Sequence, residues 1–142
     1  MMKVLIAIDG SDHARRAIDT AARLAQQGAA IDAVLLNVRE SPAYYGELPP
    51  FDYASLDKAL GERQASVLEA ALTQARAAGL TTLATQAADG PPAREIARVA
   101  AERGVDCIVM GTRGMNALGG LLLGSVAQRV VHLATVPVML VK

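Results

Sequence analysis

Three features of the sequence predict an α/β fold with a parallel sheet and helices on both faces. Apolar runs of strand length alternate with Ala/Leu-rich stretches of helical period throughout the chain. Several runs are apolar at consecutive positions, as strands covered on both faces are. Glycine or proline stands at the junctions between the two kinds of segment. No repeat, low-complexity tract or linker divides the 142 residues, which suit one domain with a sizeable core.

The first predicted strand is Lys3 to Asp9 (KVLIAID). Gly10-Ser11-Asp12 then offers a turn and a helix cap. Ala14, Ala17, Ile18, Ala21, Leu24 and Ala25 follow at helical spacing, and the helix stops near Gly28. Ile31 to Val38 is a second buried strand. Arg39 to Phe51 carries Pro42, Gly46, Pro49, Pro50 and the Tyr44-Tyr45 pair, and is expected to be a mobile loop. A long helix fits Tyr53 to Ala78, ended by Gly79. Leu80 to Ala88 alternates polar residues in the manner of an edge strand. Pro91-Pro92 opens a helix through Arg103. Val105 to Met110 is the fourth strand, Gly124 to Ala134 the fourth helix, and Pro137 to Val141 a terminal strand.

Right-handed crossovers leave few topologies for such a chain. In open parallel sheets, ligands sit beyond the carboxyl ends of the strands, where strand order reverses. Asp9, Val38 and Gly111 stand at three such ends, so they are expected to converge in space.

Composition narrows the function. Fourteen basic residues balance fourteen acidic ones, so no global field draws the chain to nucleic acid or an anionic membrane. No stretch approaches a membrane span, and the first apolar run is too short for a secretory leader. Cys107 is the only cysteine, consistent with a reducing compartment, and it reads as a small core residue. A cytoplasmic protein is expected.

The segment GTRGMNALGGLLLGS, Gly111 to Ser125, carries the chemistry. It leaves a buried strand through Gly111 and Gly114 and enters a helix through Gly124-Ser125 and Val126. Bare main-chain amides at a helix N-terminus suit an anion such as phosphate. Ser125 is expected to cap that helix with its hydroxyl, to donate to a phosphate, or both. Arg113 stands out as the nearby cation, either paired with phosphate or solvated. Asp9 is either a turn-former or a carboxylate for ribose hydroxyls or bound Mg²⁺. His13 and His132 lack ligand-like spacing, so no metal site is expected.

IAIDGSDHA, LLNV and GTRG…LLLGSVAQRVVHLATVPVMLV closely resemble the universal stress protein family, and the likeness covers almost the whole chain. The G-x2-G-x9-G-[ST] pattern of its nucleotide-binding members is complete here as Gly111, Gly114, Gly124 and Ser125. The resemblance implies a Rossmann-like, five-stranded parallel sheet in the order 3-2-1-4-5 and an ATP site with Mg²⁺. It further implies a homodimer paired through the last strand, Val136 to Val141. Ala7 matches a position lining the base pocket, and Val38 one whose backbone meets the adenine edge. Where many relatives have His before that position, this chain has Asn37, which can bond locally but cannot titrate near neutral pH. The expected nucleotide-contacting set is Ala7, Asp9, Val38, Gly111, Thr112, Arg113, Gly114, Met115, Asn116, Gly124, Ser125 and Val126.

Three functions stay open: an ATP-binding stress or energy-state regulator, a slow ATPase or autophosphorylating enzyme, and a nucleotide-free dimerisation module. The sequence has no G-x4-G-K-[ST], no G-x-G-x-x-G after a strand and no H-x-G-H, which disfavours an efficient phosphotransferase. No convergent nucleophile, base and electrophile set is visible.

Overall fold

The computed structural model describes residues 1–40, 50–113 and 123–142. The Tyr44-Tyr45 pair and most of the segment read as a mobile loop fall outside these residues. Along the chain run β1 (Met2–Ala7), α1 (Asp12–Gln26), β2 (Ile31–Arg39), α2 (Pro50–Ala77) and β3 (Thr82–Asp89). Then come α3 (Pro92–Arg103), β4 (Cys107–Gly111), α4 (Ser125–Leu133) and β5 (Val138–Val141). The sheet has five strands in the order β3-β2-β1-β4-β5, and every adjacent pair is parallel. This is the expected architecture. The chain winds outward from β1 to β3, then returns to lay β4 on the other side of β1, so strand order reverses between β1 and β4.

Successive residues of β1 serve opposite faces. Val4 and Ile6 pack with Ile18, Ala21, Leu68 and Ala75, under α1 and α2. Leu5 between them packs with Ile96, Val99, Ala127 and Val130, under α3 and α4. All three β1 residues are at most 1% exposed, which is why the run is apolar without alternation. With so few aromatics, close approach of helix to sheet rests on alanine: Ala17, Ala21, Ala71, Ala75, Ala93 and Ala100 are buried helix positions. Cys107 is half-buried at the start of β4, where burial pushes its thiol pKa up.

Two strands, β3 and β4, start later than the apolar runs suggest, for a shared reason. The amides of Leu80 and Val105 donate back to Ala75 and Ala100, closing the C-terminus of the preceding helix. Leu80 and Val105 are thus core residues of helix ends, and β3 and β4 begin at Thr82 and Cys107. Similarly, β1 ends at Ala7, not Asp9, because Asp9 begins the turn into α1, where Gly10 takes φ +83. At its start, α2 extends back to Pro50.

Candidate functional site

A cavity of about 650 Å³ lies along the carboxyl edge of the sheet. Ala7 enters it from β1, Asp9 from the turn into α1, Val38 from β2, and Gly111, Thr112 and Arg113 from the end of β4. Gly124, Ser125 and Val126 reach it from the N-terminus of α4. The convergence expected of the three strand ends is therefore present. Gly114, Met115 and Asn116 lie outside the described residues.

The local hydrogen bonds explain how each part is held. One carboxylate oxygen of Asp9 accepts from the Ser11 amide (2.9 Å) and hydroxyl (2.5 Å). The same Ser11 hydroxyl accepts from the Ala14 amide at 3.2 Å and caps α1. Asp9 is therefore a turn-former, while its exposed position keeps it facing the cavity. Asn37 is buried and donates to the Ile8 carbonyl at 2.6 Å, the local bonding expected of an amide there. The segment between β4 and α4 is closed at its base. The Gly124 amide donates to the Thr112 carbonyl (2.6 Å), and the Thr112 amide donates to the Val141 carbonyl (2.8 Å).

The α4 terminus differs from expectation. Its cap residue is Gly124, with no side-chain cap hydrogen bond, and Ser125 is the first helical residue. The hydroxyl of Ser125 therefore does not cap the helix. Gly124 has φ −69 and ψ 162, extended backbone open to any residue, so the turn itself does not require glycine. The first-turn amides that follow it have no intrahelical acceptor. The Ser11 cap of α1 shows the contrast, since that serine occupies its own helix terminus. An uncapped helix end facing a cavity is a donor set suited to an anion.

Gly111 has a different reason to be glycine. A Cβ there would sit 2.5 Å from the Cβ of His13 and 3.0 Å from the Arg113 carbonyl oxygen. The first turn of α1 lies against the end of β4, and only a residue without a side chain fits between them.

Sequence reasoning missed the α2 wall of the cavity, formed by Leu60, Arg63, Gln64 and Val67, and the contribution of Pro92 and Ile96 from α3. Helical period shows that α2 has an inward face but not how far it rises above the sheet. Its 28 residues span about 42 Å, against about 30 Å for the nine of β2, so it overshoots the strands. Gln64 marks the level of the edge. Its buried side-chain amide donates to the carbonyls of Asn37 and Ala88, 3.0 Å each, at the ends of β2 and β3. Residues before it stand beyond the edge as a wall.

Arg113 is not the sole cation at the site, since Arg39 and Arg63 line the same cavity. Arg39 is engaged. It donates to Asp89 from Nε (2.6 Å) and Nη2 (3.2 Å), and to the Asp57 carboxylate (2.8 Å) and carbonyl (2.9 Å). The hydrogen bond to Asp89 is the main reason its pKa is raised. One cation against two carboxylates gives the cluster around Arg39 a net negative charge. Asp57 and Asp89 do not themselves line the cavity, whose own carboxylates among the described residues are Asp9 and Glu40. The α4 amides and Arg113 make the other end positive. Ser11, Asn37, Gln64 and Thr112, the buried polar residues among those described, all line this cavity. The polar interior of the molecule is thus concentrated at one edge.

A switch-point cavity on a 3-2-1-4-5 sheet, with an uncapped helix end at its rim, defines an α/β anion- or nucleotide-site architecture. Comparison with known proteins makes this particular. The sequence model of the universal stress protein family matches residues 1–142, and the chain belongs to that family. A universal stress protein of Thermus aquaticus is 41% identical over 142 residues, covering 98% of this chain and 97% of the relative. Universal stress protein YxiE of Bacillus subtilis is 36% identical, with 99% and 98% covered. Among solved structures, UspA of Lactobacillus plantarum superposes with TM-score 0.82 at 26% identity, covering 99% of this chain and 97% of that one. A universal stress protein in complex with cAMP gives 0.70 at 26% identity, with 99% and 96% covered. The Archaeoglobus fulgidus protein in complex with dAMP gives 0.67 at 25% identity, with 100% and 98% covered.

Proposed function

We propose that the chain is an ATP-binding regulatory protein whose conformation responds to nucleotide, and that Mg²⁺ accompanies the bound ATP. The observation that carries this reading is the open N-terminus of α4, facing a cavity at the strand-order switch point. The related structures in complex with cAMP and dAMP support an adenine nucleotide as the class of ligand. The phosphate tail sits on the amides of Ser125, Val126 and Ala127 and beside Gly111, Thr112 and Arg113. The sequence pattern adds Gly114, Met115 and Asn116 to the proposed contact set. Asp9 meets the ribose or the Mg²⁺ with the carboxylate oxygen that Ser11 leaves unused. Ala7 leaves room for the base, and the Val38 backbone meets its edge. Bound Mg²⁺ would screen the tail charge that the amides and arginines meet.

Binding is favoured over turnover because three of the rim's polar side chains, Ser11, Asn37 and Gln64, are committed to the edge itself. Ser11 caps α1, and Asn37 and Gln64 hold strand-end carbonyls. The protein acts as one nucleotide-binding domain in the cytoplasm, a reading that its lone cysteine suits. It works as a homodimer paired through Val136 to Val141.

Titration with ATP, ADP, AMP and GTP, alongside mass analysis of small molecules carried through purification, tests the reading. Adenine nucleotides bind and GTP binds more weakly. Ser125→Glu places an anion at the α4 terminus and reduces ATP affinity by at least about a hundredfold, through like-charge repulsion of the phosphate tail. Unchanged affinity in that variant would reject this placement of the tail.

A further inference from the structure

Arg63 faces the cavity from the α2 wall and makes no hydrogen bond or ion pair among the described residues. Its backbone is fixed relative to the sheet, because Gln64 beside it is bonded to the carbonyls of Asn37 and Ala88. Its direction follows from the neighbouring residues of the helix. Asp57 and Gly61 face Arg39 at the β2–β3 end: Asp57 pairs with Arg39, and a Cβ on Gly61 would lie 3.5 Å from its Nη1. Val67 faces the β1–α1 turn, where a Cβ on Gly10 would lie 3.7 Å from its Cγ2. At 3.6 residues per turn, Arg63 is about 40° from Val67 and well over 100° from both Asp57 and Gly61. Its base therefore points toward the β1–β4 switch point, away from the carboxylates around Arg39.

We propose that Arg63 is a second cationic contact for the anionic tail of the nucleotide, placed on α2 across the cavity from the α4 amides. The contact adds affinity with each phosphate beyond the first and so biases the site toward polyphosphates. This rests on the nucleotide reading above. Two features favour the tail over the base as its partner. The carboxylates around Arg39 repel an anionic tail from the β2–β3 end, and the α4 terminus attracts it to the opposite end. Arg63 leans toward that same end, where a planar guanidinium can pair with phosphate oxygens in bidentate fashion.

The test measures adenosine, AMP, ADP and ATP binding by calorimetry to the unsubstituted chain, Arg63→Gln and Arg63→Lys, at low and high salt. Arg63→Gln weakens ATP by about tenfold, as loss of a charge-assisted contact does, and leaves adenosine unchanged. Arg63→Lys retains part of the ATP affinity, and the salt dependence of ATP binding flattens in the glutamine variant. Thermal melting matched to the unsubstituted chain shows that the exposed substitution leaves the fold intact. Equal loss for adenosine and ATP would assign Arg63 to the base, and no loss for ATP would leave it a solvated wall residue. Either outcome overturns the proposal while the nucleotide reading stands. If the unsubstituted chain binds none of the four ligands, the nucleotide reading fails and the Arg63 contact falls with it.

Discussion

Gly111 and Gly124 belong to one sequence pattern yet are glycine for different physical reasons. A side chain on Gly111 would collide with the Cβ and backbone carbon of His13, at 2.5 and 3.1 Å. Because backbone as well as side chain is in the way, α1 or β4 must shift to relieve the contact. Gly111→Ala therefore costs about 1–3 kcal/mol of stability, an overpacking penalty, read from the midpoint of urea denaturation. A midpoint equal to that of the unsubstituted chain would show that α1 yields freely. Gly124 has neither a strained φ nor a cap hydrogen bond, and its role in the proposed site is access to the α4 amides. The sequence shows that glycines recur around a loop. It does not distinguish a glycine that admits a neighbouring helix from one that admits a ligand, because the first depends on a contact between residues 98 positions apart. The same holds for Ser125, whose hydroxyl suggests a cap until the helix is seen to start one residue earlier than its cap would require.

Elements were legible to the extent that their signals are local. Every strand and helix among the described residues was visible as an apolar run, a polar alternation or a helical period, and the errors fall at junctions. Leu80 and Val105 look like first strand residues because they are apolar and buried, but their amides are already bonded to the helix behind them. The position of α2 was less legible, since its overshoot depends on where it is pinned. Gln64 supplies that pin through two hydrogen bonds from one side-chain amide. Gln64→Leu keeps the bulk and withdraws the donor from two strand-end carbonyls. The expected destabilisation is about 1–3 kcal/mol, seen as a lower urea midpoint at unchanged m-value. Backbone amide exchange should accelerate first in the turns of α2 before residue 64, since they have no strand beneath them. A loss below about 0.5 kcal/mol would mean that packing of Leu68, Ala71 and Ala75 holds α2 unaided.

At the scale of the whole molecule, the two edges of the sheet are unequal. β3 ends one side with Thr82, Thr85, Gln86 and Asp89 interspersed among smaller residues, a sequence that discourages strand addition. β5 ends the other side as Val138–Val141, VMLV, with no charged residue to blunt it. Beside it, Met139 is 36% exposed, and on α4 Val131 and Leu133 are 49% and 44% exposed. Val138 and Leu140 turn inward against the α3–α4 core, so the open edge is the face that a second chain could pair with. A two-fold axis beside β5 would join two sheets and cover both edges with one self-complementary contact. The expected state is a dimer at tens of micromolar, measured by light scattering or sedimentation. Met139→Lys places a charge at the centre of that contact and shifts the population to monomer. Because β5 does not line the cavity, nucleotide affinity per chain changes little in the variant. The two regions meet along β4: Met110 and Gly111 line the cavity and pair with Leu140 and Val141, and the Thr112 amide donates to the Val141 carbonyl. A lysine variant that loses both pairing and nucleotide would show that this junction couples dimer to site. A chain that is monomeric before any substitution would show that β5 is covered in some other way.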